Sequence, residues 1–217
     1  MAKRKLQRFT EIGTFSNVKQ LEEGKPFKGN WGKDFFKNPN PIILELACGK
    51  GEYSVNLARK FPDKNFIGID YKGNRLWVGA KMAIDEGLDN VGFLRIQIQN
   101  ILDYFEVDEI DEIWLTFPDP QAQSPLERKR LTNLTFLGKY KTVLKPGGIM
   151  HLKTDNDGFY DYTLEKITEL NIPPLQQTTN VYRDHYEDEI LSIKTHYERI
   201  YLQKGKNINY VKFRFNG

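Results

Sequence analysis

The sequence predicts an α/β fold, a doubly wound and mostly parallel sheet, and three observations carry that reading. Apolar runs at Pro41 to Leu46 and Asn65 to Asp70 bracket a helical segment, as in two parallel strands joined by a crossover. Glycines cluster where the first run ends, in Glu45-Leu-Ala-Cys-Gly49-Lys-Gly51. Strand and helix signals then alternate along the chain, the order a doubly wound sheet requires. At 217 residues, with 39% hydrophobic and 28% charged residues, the chain has the length and composition of one water-soluble core.

Residues 1–38 read as a basic, partly flexible extension and 39–217 as the folded domain. Residues 1–33 hold eight Lys/Arg and three Asp/Glu, a local charge of +5 that leaves −2 for the rest of a chain whose total is +3. Lys3, Arg4, Lys5 and Arg8 either contact the phosphates of a polyanion or form a solvated tail. After the first strand a helix starts near Glu52, where its amide N–H groups face the glycine turn. Gly73 to Gly87 follows as a helix with Leu76, Ala80, Ala83 and Ile84 on one face, then Val91 to Ile98 as a strand and Asn100 to Phe105 as a short turn. Glu112 to Phe117 is the fourth strand. A helix from Arg128 to Leu144 stops at Lys145-Pro-Gly-Gly148, since proline cannot continue a helix and glycine permits the left-handed exit. Ile149 to Lys153 is the fifth strand, Gly158 to Leu170 a helix broken by Pro173-Pro174, and Tyr210 to Phe215, alternating apolar and basic, a terminal strand.

The glycine turn and Asp70 describe a nucleoside site. Nineteen residues separate Gly51 from Asp70, close to the spacing of about 20 at which an acidic residue on the second strand takes ribose hydroxyls. A dinucleotide fingerprint needs a third glycine under a pyrophosphate, and that glycine is absent here. Glu45 precedes the turn, where a carboxylate repels pyrophosphate and welcomes an ammonium or hydroxyl donor. Those features favour S-adenosylmethionine, with Glu45, Gly49, Gly51 and Asp70 as its ligands.

Ligands of such sheets bind beyond the carboxyl ends of the strands. The residues there are Glu45, Asp70, Gln97 and Gln99, Pro118-Asp119-Pro120, and Thr154-Asp155-Asn156. Asp155 either binds a ligand or caps the following helix, and Asp119 either meets substrate or makes a turn between its prolines. Cys48 is the only cysteine, and with three histidines the chain offers no metal-ligand spacing. No apolar run is long enough to span a membrane and no signal-peptide pattern is present, so a cytoplasmic protein without membrane or metal is expected.

Taken together, Glu45-x-x-Cys-Gly-Lys-Gly51, Phe117-Pro-Asp119-Pro, Arg128-Lys-Arg130-Leu, Lys145-Pro-Gly-Gly, His151-Leu-Lys-Thr-Asp155 and Thr195-x-Tyr-Glu198 stand in the order of the bacterial tRNA (guanine-N7)-methyltransferase family, which the chain resembles. The resemblance implies the Rossmann-like class I methyltransferase fold, a doubly wound, mostly parallel seven-stranded sheet with an antiparallel C-terminal strand. It also implies S-adenosylmethionine as donor and guanosine 46 of the tRNA variable loop as acceptor. By the same carry-over Asp119 is the catalytic residue, at the junction of cofactor and substrate; Asp155, Thr195 and Glu198 are guanosine-site residues; and Arg128, Lys129 and Arg130 hold RNA phosphates. The chain departs from the family at Gln97, where relatives carry an acidic cofactor ligand, at Gln123, where they carry a substrate-contacting lysine, and at Ala47, where glycine is common. An amide supplies hydrogen bonds but no charge. The opposing reading is a non-enzymatic RNA-binding protein on the same scaffold, or a methyltransferase for another substrate. The sequence leaves monomer and homodimer equally open.

Overall fold

In the computed structural model, which describes residues 2–184 and 187–216, eight strands form one sheet in the order β1-β4-β3-β2-β5-β6-β8-β7. They are β1 Val18–Gln20, β2 Ile42–Leu46, β3 Asn65–Ile69, β4 Val91–Arg95, β5 Ile110–Thr116, β6 Leu144–Thr154, β7 Pro174–Thr178 and β8 Asn209–Arg214. All run parallel except β8, which pairs antiparallel with both β6 and β7. Every residue of β2 and β3 is buried, because helices cover both faces of a parallel sheet and leave no polar side for alternation.

The helices are α1 Ala2–Glu11, α2 Glu52–Lys60, α3 Gly73–Asp85, α4 Leu134–Val143, α5 Asp157–Glu169, α6 Val181–Asp184 and α7 His196–Gln203. One apolar core lies between the sheet and α4 and α5, around Trp31, Phe105, Tyr140 and Phe159. The other lies under α2 and α3 and holds Tyr53, Phe93, Trp114 and Tyr210. Leu46 pairs with Ile69 and Leu115, and Thr116 with Lys153, so the carboxyl ends of β2, β3, β5 and β6 finish on one edge.

The eighth strand comes from the N-terminal segment. From Ile12 onward this segment packs on the domain: β1 joins β4, and Trp31 is buried, stacks on Phe105 at 5.5 Å and donates from Nε1 to the Tyr104 carbonyl at 2.8 Å. Helix α1 lies on α3, with the Arg8 guanidinium 4.4 Å over Trp77 and Trp77 Nε1 donating to Glu11 at 3.1 Å. The side chains of Lys3, Arg4 and Lys5 fall outside the described residues.

The expected helix over Arg128 to Leu144 divides instead. Residues Ser124–Lys129 make a 3-10 turn, and α4 starts only after Asn133, whose side chain accepts from Phe136 N at 3.0 Å and caps the helix. Pro174, expected only to break the preceding helix, begins β7, a position at the sheet edge where a missing N–H costs nothing. Helix α7 was hidden in Thr195-x-x-Glu198, which is a capping box.

Candidate functional site

A cavity of about 250 Å³ opens at the carboxyl edge between the loops after β2, β3 and β5, and residues 195–197 close it from above. Its geometry follows from the turn after β2. Ala47, Gly49 and Gly51 all have left-handed backbones, with φ of 58°, 57° and 68°. Gly51 must be glycine, since a Cβ there would lie 2.3 Å from the Phe93 ring, and Gly79 of α3 packs against it for the same reason. Gly49 faces open space in the cavity.

Asp70 lines the cavity and fixes the turn. Its Oδ2 accepts from Gly49 N at 3.0 Å and its Oδ1 from Lys72 N at 2.7 Å, which leaves a lone pair on each oxygen for a ligand. Glu45, expected beside it as a ligand, lies behind the wall. It is 2% exposed, and its carboxylate accepts from Ser54 N at 2.9 Å, Ser54 Oγ at 2.5 Å and Thr116 Oγ1 at 2.5 Å. Burial pushes this carboxyl up to about 7, with the hydroxyl donors of Ser54 and Thr116 opposing. Its reach to the cavity is therefore indirect, through Thr116, which does line it.

Asp119 stands exposed on the lip, where Oδ1 accepts from Gln121 N at 3.1 Å as in the turn reading while the residue still lines the cavity. Its loop is backbone-strained: Phe117 and Gln121 have φ of 51° and 46°. Phe117 is held by a bond from its N to the Lys153 carbonyl at 2.8 Å and by the Tyr201 ring at 6.0 Å.

The opposite wall is Thr195 and Tyr197. Thr195 lines the cavity while its hydroxyl caps α7, accepting from Glu198 N at 3.2 Å. Glu198 does not reach the cavity. It is wholly buried with Lys153, at 2.7 Å from Nζ, and also accepts from Tyr182 Oη at 2.5 Å. Asp155 is likewise off the wall, paired with Lys206 at 2.6 Å, and Lys206 in turn covers the Tyr201 ring.

The remaining expected residues lie apart. Gln97 accepts from Gln99 Nε2 at 2.7 Å and does not line the cavity, and Gln123 is exposed where the 3-10 turn begins. Arg128 lines a second, shallower groove with Lys139, Tyr162 and Lys166; Lys129 is exposed; Arg130 lies 4.4 Å over Tyr162. Cys48 lines the cavity, but burial pushes its thiol well above the usual range and it is not a nucleophile. Lys50, Lys72, Arg75, Glu52, Thr116 and Tyr197 line the cavity too and went unassigned in the sequence. Lys72 and Arg75 had a signal there, two cations within a turn of Asp70.

The lining thus carries three cations, Lys50, Lys72 and Arg75, against three carboxylates, Glu52, Asp70 and Asp119. A lining of both signs suits a ligand that carries both a carboxylate and cationic groups, whereas a pyrophosphate would call for an excess of cations. Among the described residues no group of His, Cys, Asp and Glu is placed to hold a metal, and no helix is long and apolar enough to cross a membrane.

Comparison with known proteins agrees with this geometry. Residues 39–211 match a family model described as "Putative methyltransferase". The chain is 50% identical to the tRNA (guanine-N(7)-)-methyltransferase of Christiangramia forsetii, covering 98% of both chains, and 45% identical to that of Bacteroides thetaiotaomicron, covering 99% of this chain and 86% of the other. Among solved structures it superposes on the 16S rRNA methyltransferase KamB with a TM-score of 0.64 at 13% identity, over 85% of this chain and 92% of that one. The cyclase SpnF superposes with a TM-score of 0.57 at 17% identity, over 81% of this chain and 75% of that one, so the scaffold alone does not specify the reaction. Sequence identity of this extent over nearly the full length does: the chain belongs to the tRNA (guanine-N7)-methyltransferase family.

Proposed function

We propose that the protein transfers a methyl group from S-adenosylmethionine to N7 of guanosine 46 in the variable loop of tRNA. The observation that carries this reading is the charge-balanced cavity at the ends of β2, β3 and β5, with Asp119 exposed on its lip. The donor has one carboxylate and two cationic centres, an ammonium and a sulfonium. Asp70 keeps free lone pairs for ribose hydroxyls, Gly49 leaves space against the turn, and Lys50 offers a partner for a carboxylate. When bound, this cofactor supplies an electrophilic methyl group on sulfur.

Guanine N7 has a lone pair and no proton to lose, so the protein needs no general base. Positioning does most of the work. Asp119, on a loop held rigid by Phe117 and Gln121, is placed to stabilise positive charge that develops on the purine or to accept from its N1 and N2 donors. Tyr197 offers a ring on the facing wall. Asp155, through Lys206 and Tyr201, supports the Phe117 side of that lip. Arg128, Lys129 and Arg130 take phosphates beyond it, which also carry the affinity for RNA.

The test is nucleoside analysis of unmodified tRNA after incubation with the protein and labelled S-adenosylmethionine. The expected product is 7-methylguanosine at position 46. Asp119→Ala should lower turnover about 10²- to 10³-fold, the range seen when one preorganised electrostatic group is removed, with tRNA affinity little changed. Wild-type protein that binds the tRNA and makes no 7-methylguanosine would leave an RNA-binding protein on a methyltransferase scaffold.

A further inference from the structure

We propose that Phe9, Tyr71 and Arg95 form a platform on which an unpaired base of the tRNA stacks, with Arg8, Lys72 and Arg75 holding the adjoining phosphates. The platform adjoins the cavity mouth, since Tyr71 stands between Asp70 and Lys72, which both line the cavity. This inference rests on the tRNA reading above and extends it to a surface outside the reaction cavity.

The patch has the two features that single-stranded nucleic acid requires, exposed ring faces and unneutralised cations. Tyr71 is 54% and Phe9 48% exposed. The Arg95 guanidinium lies between them, 4.5 Å from the Phe9 centroid and 5.9 Å from that of Tyr71. It is fixed by neutral partners: Nε donates to the Tyr71 carbonyl at 3.2 Å and Nη1 to Gln20 Oε1 at 2.9 Å. Gly73 leaves it room, since a Cβ there would stand 3.1 Å from Arg95 Nε. Arg95 is thus ordered as though in an ion pair, with no anion.

The same holds around it. Among the described residues, none of Arg8, Lys72, Arg75 and Arg95 has a carboxylate within ion-pair distance, whereas Arg59, Lys145 and Lys206 pair with Glu86, Asp111 and Asp155. Four unpaired cations beside two exposed rings complement a polyanion that carries aromatic bases. A membrane surface fits less well, because α1 offers only Leu6 and Phe9 as large apolar residues in ten.

The experiment uses the full chain and an unmodified tRNA transcript. Affinity for tRNA is read by fluorescence anisotropy at several salt concentrations, affinity for S-adenosylmethionine by calorimetry, and Tm for each variant. Phe9→Ala and Tyr71→Ala are each expected to weaken tRNA binding roughly five- to a hundredfold, the range for one base–aromatic stack, with cofactor affinity within about twofold of wild type. Tyr71→Phe keeps the ring and should retain wild-type affinity. Arg95→Gln should reduce the slope of log affinity against log salt by about one. The proposal is overturned if both alanine variants keep Tm and tRNA affinity, if Tyr71→Ala weakens the cofactor and leaves tRNA binding intact, which would make Tyr71 an adenine contact, or if the patch binds anionic phospholipid vesicles in preference to RNA. Anisotropy does not depend on catalysis. Absence of 7-methylguanosine with wild-type protein therefore counts against the proposed reaction alone, and unchanged tRNA binding in the variants against this platform alone.

Discussion

The two sides of the cavity are built by opposite means. On the β2–β3 side the groups are held by backbone within one consecutive run from β2 to α3: Asp70 is fixed by Gly49 N and Lys72 N, and the turn is shaped by Gly51 against Gly79. On the β5–β6 side the wall of Thr195 and Tyr197 hangs from a buried ion pair between Lys153 of β6 and Glu198 of α7, whose residues are distant in sequence. The first side is a local device that a short motif encodes. The second depends on the whole fold, so damage there should spread further.

Lys153→Met tests that contrast at its strongest point. Lys153 and Glu198 are both 0% exposed, and the ammonium spends its remaining donors on the carbonyls of Leu191 at 2.6 Å and Ile193 at 3.2 Å. Burial holds the Lys153 ammonium below its ordinary range, with Glu198 opposing, so the pair stands on mutual satisfaction. Removing one partner of a buried pair costs about 3–5 kcal/mol, which for a chain of this size lowers Tm by roughly 6–20 °C. Replacing both, as Lys153→Met with Glu198→Leu, should cost less than Lys153→Met alone. Thermal melts of the three proteins decide it, and a single variant as stable as wild type would remove the asymmetry between the two sides.

Glu45 lies on the seam, tied to Ser54 of α2 and to Thr116 of β5, and its expected effect is the next in size. Its carboxyl titrates near 7 in the folded protein against 4.5 as a free side chain. Between those values the unfolded chain has released the proton and the folded protein has kept it, so this group makes stability fall as pH rises from about 4.5 to about 7, and level off above. The amplitude is about 3 kcal/mol. His151 acts in the opposite sense, since burial lowers its pKa and its neutral folded form loses stability as pH falls below 6.5. The contribution of Glu45 is therefore the difference between wild type and Glu45→Gln. Urea unfolding across that window should show wild type losing ground to the variant as pH rises, and parallel curves would mean that Glu45 ionises as freely as a solvated carboxylate.

The contrast also explains what was legible in the sequence. Asp70 and the glycine turn were readable because they stand at a characteristic spacing within one strand–helix–strand run, and the continuous apolar runs of β2 and β3 announced a sheet covered on both faces. Glu198 was readable as a motif but not as a role. The signature Thr195-x-x-Glu198 specifies a capping box locally, while the partner that buries its carboxylate, Lys153, is supplied by a strand the motif does not mention. Glu45 misled for a related reason, since strand-end position gives no information about which face the side chain takes, and here Ser54 and Thr116 draw it inward. Strand β1, at Val18–Gln20, is too short for any periodicity to show. The helix expected from Arg128 starts only at Leu134 because the Asn133 side chain caps it there, a role that competes with continuing the helix through that residue.

The smallest effect concerns the backbone strain that both sides share. Ala47 on the first side and Phe117 on the second hold left-handed φ values of 58° and 51°, a region where a Cβ costs about 1–2 kcal/mol. Ala47 offers little in return, so Ala47→Gly relieves the strain and gives back about 0.5–1 kcal/mol through the greater freedom of the unfolded chain. The expected outcome is a gain of up to about 1 kcal/mol in urea unfolding, with cofactor affinity kept, since glycine leaves the backbone path of the turn unchanged. Phe117 differs, because its ring packs on Tyr201 at 6.0 Å and supports the lip that carries Asp119. Phe117→Gly should therefore destabilise despite removing the same kind of strain. Equal signs for the two substitutions would show that the strain is not offset by packing on the second side, and the two walls would then be built more alike than their hydrogen bonds indicate.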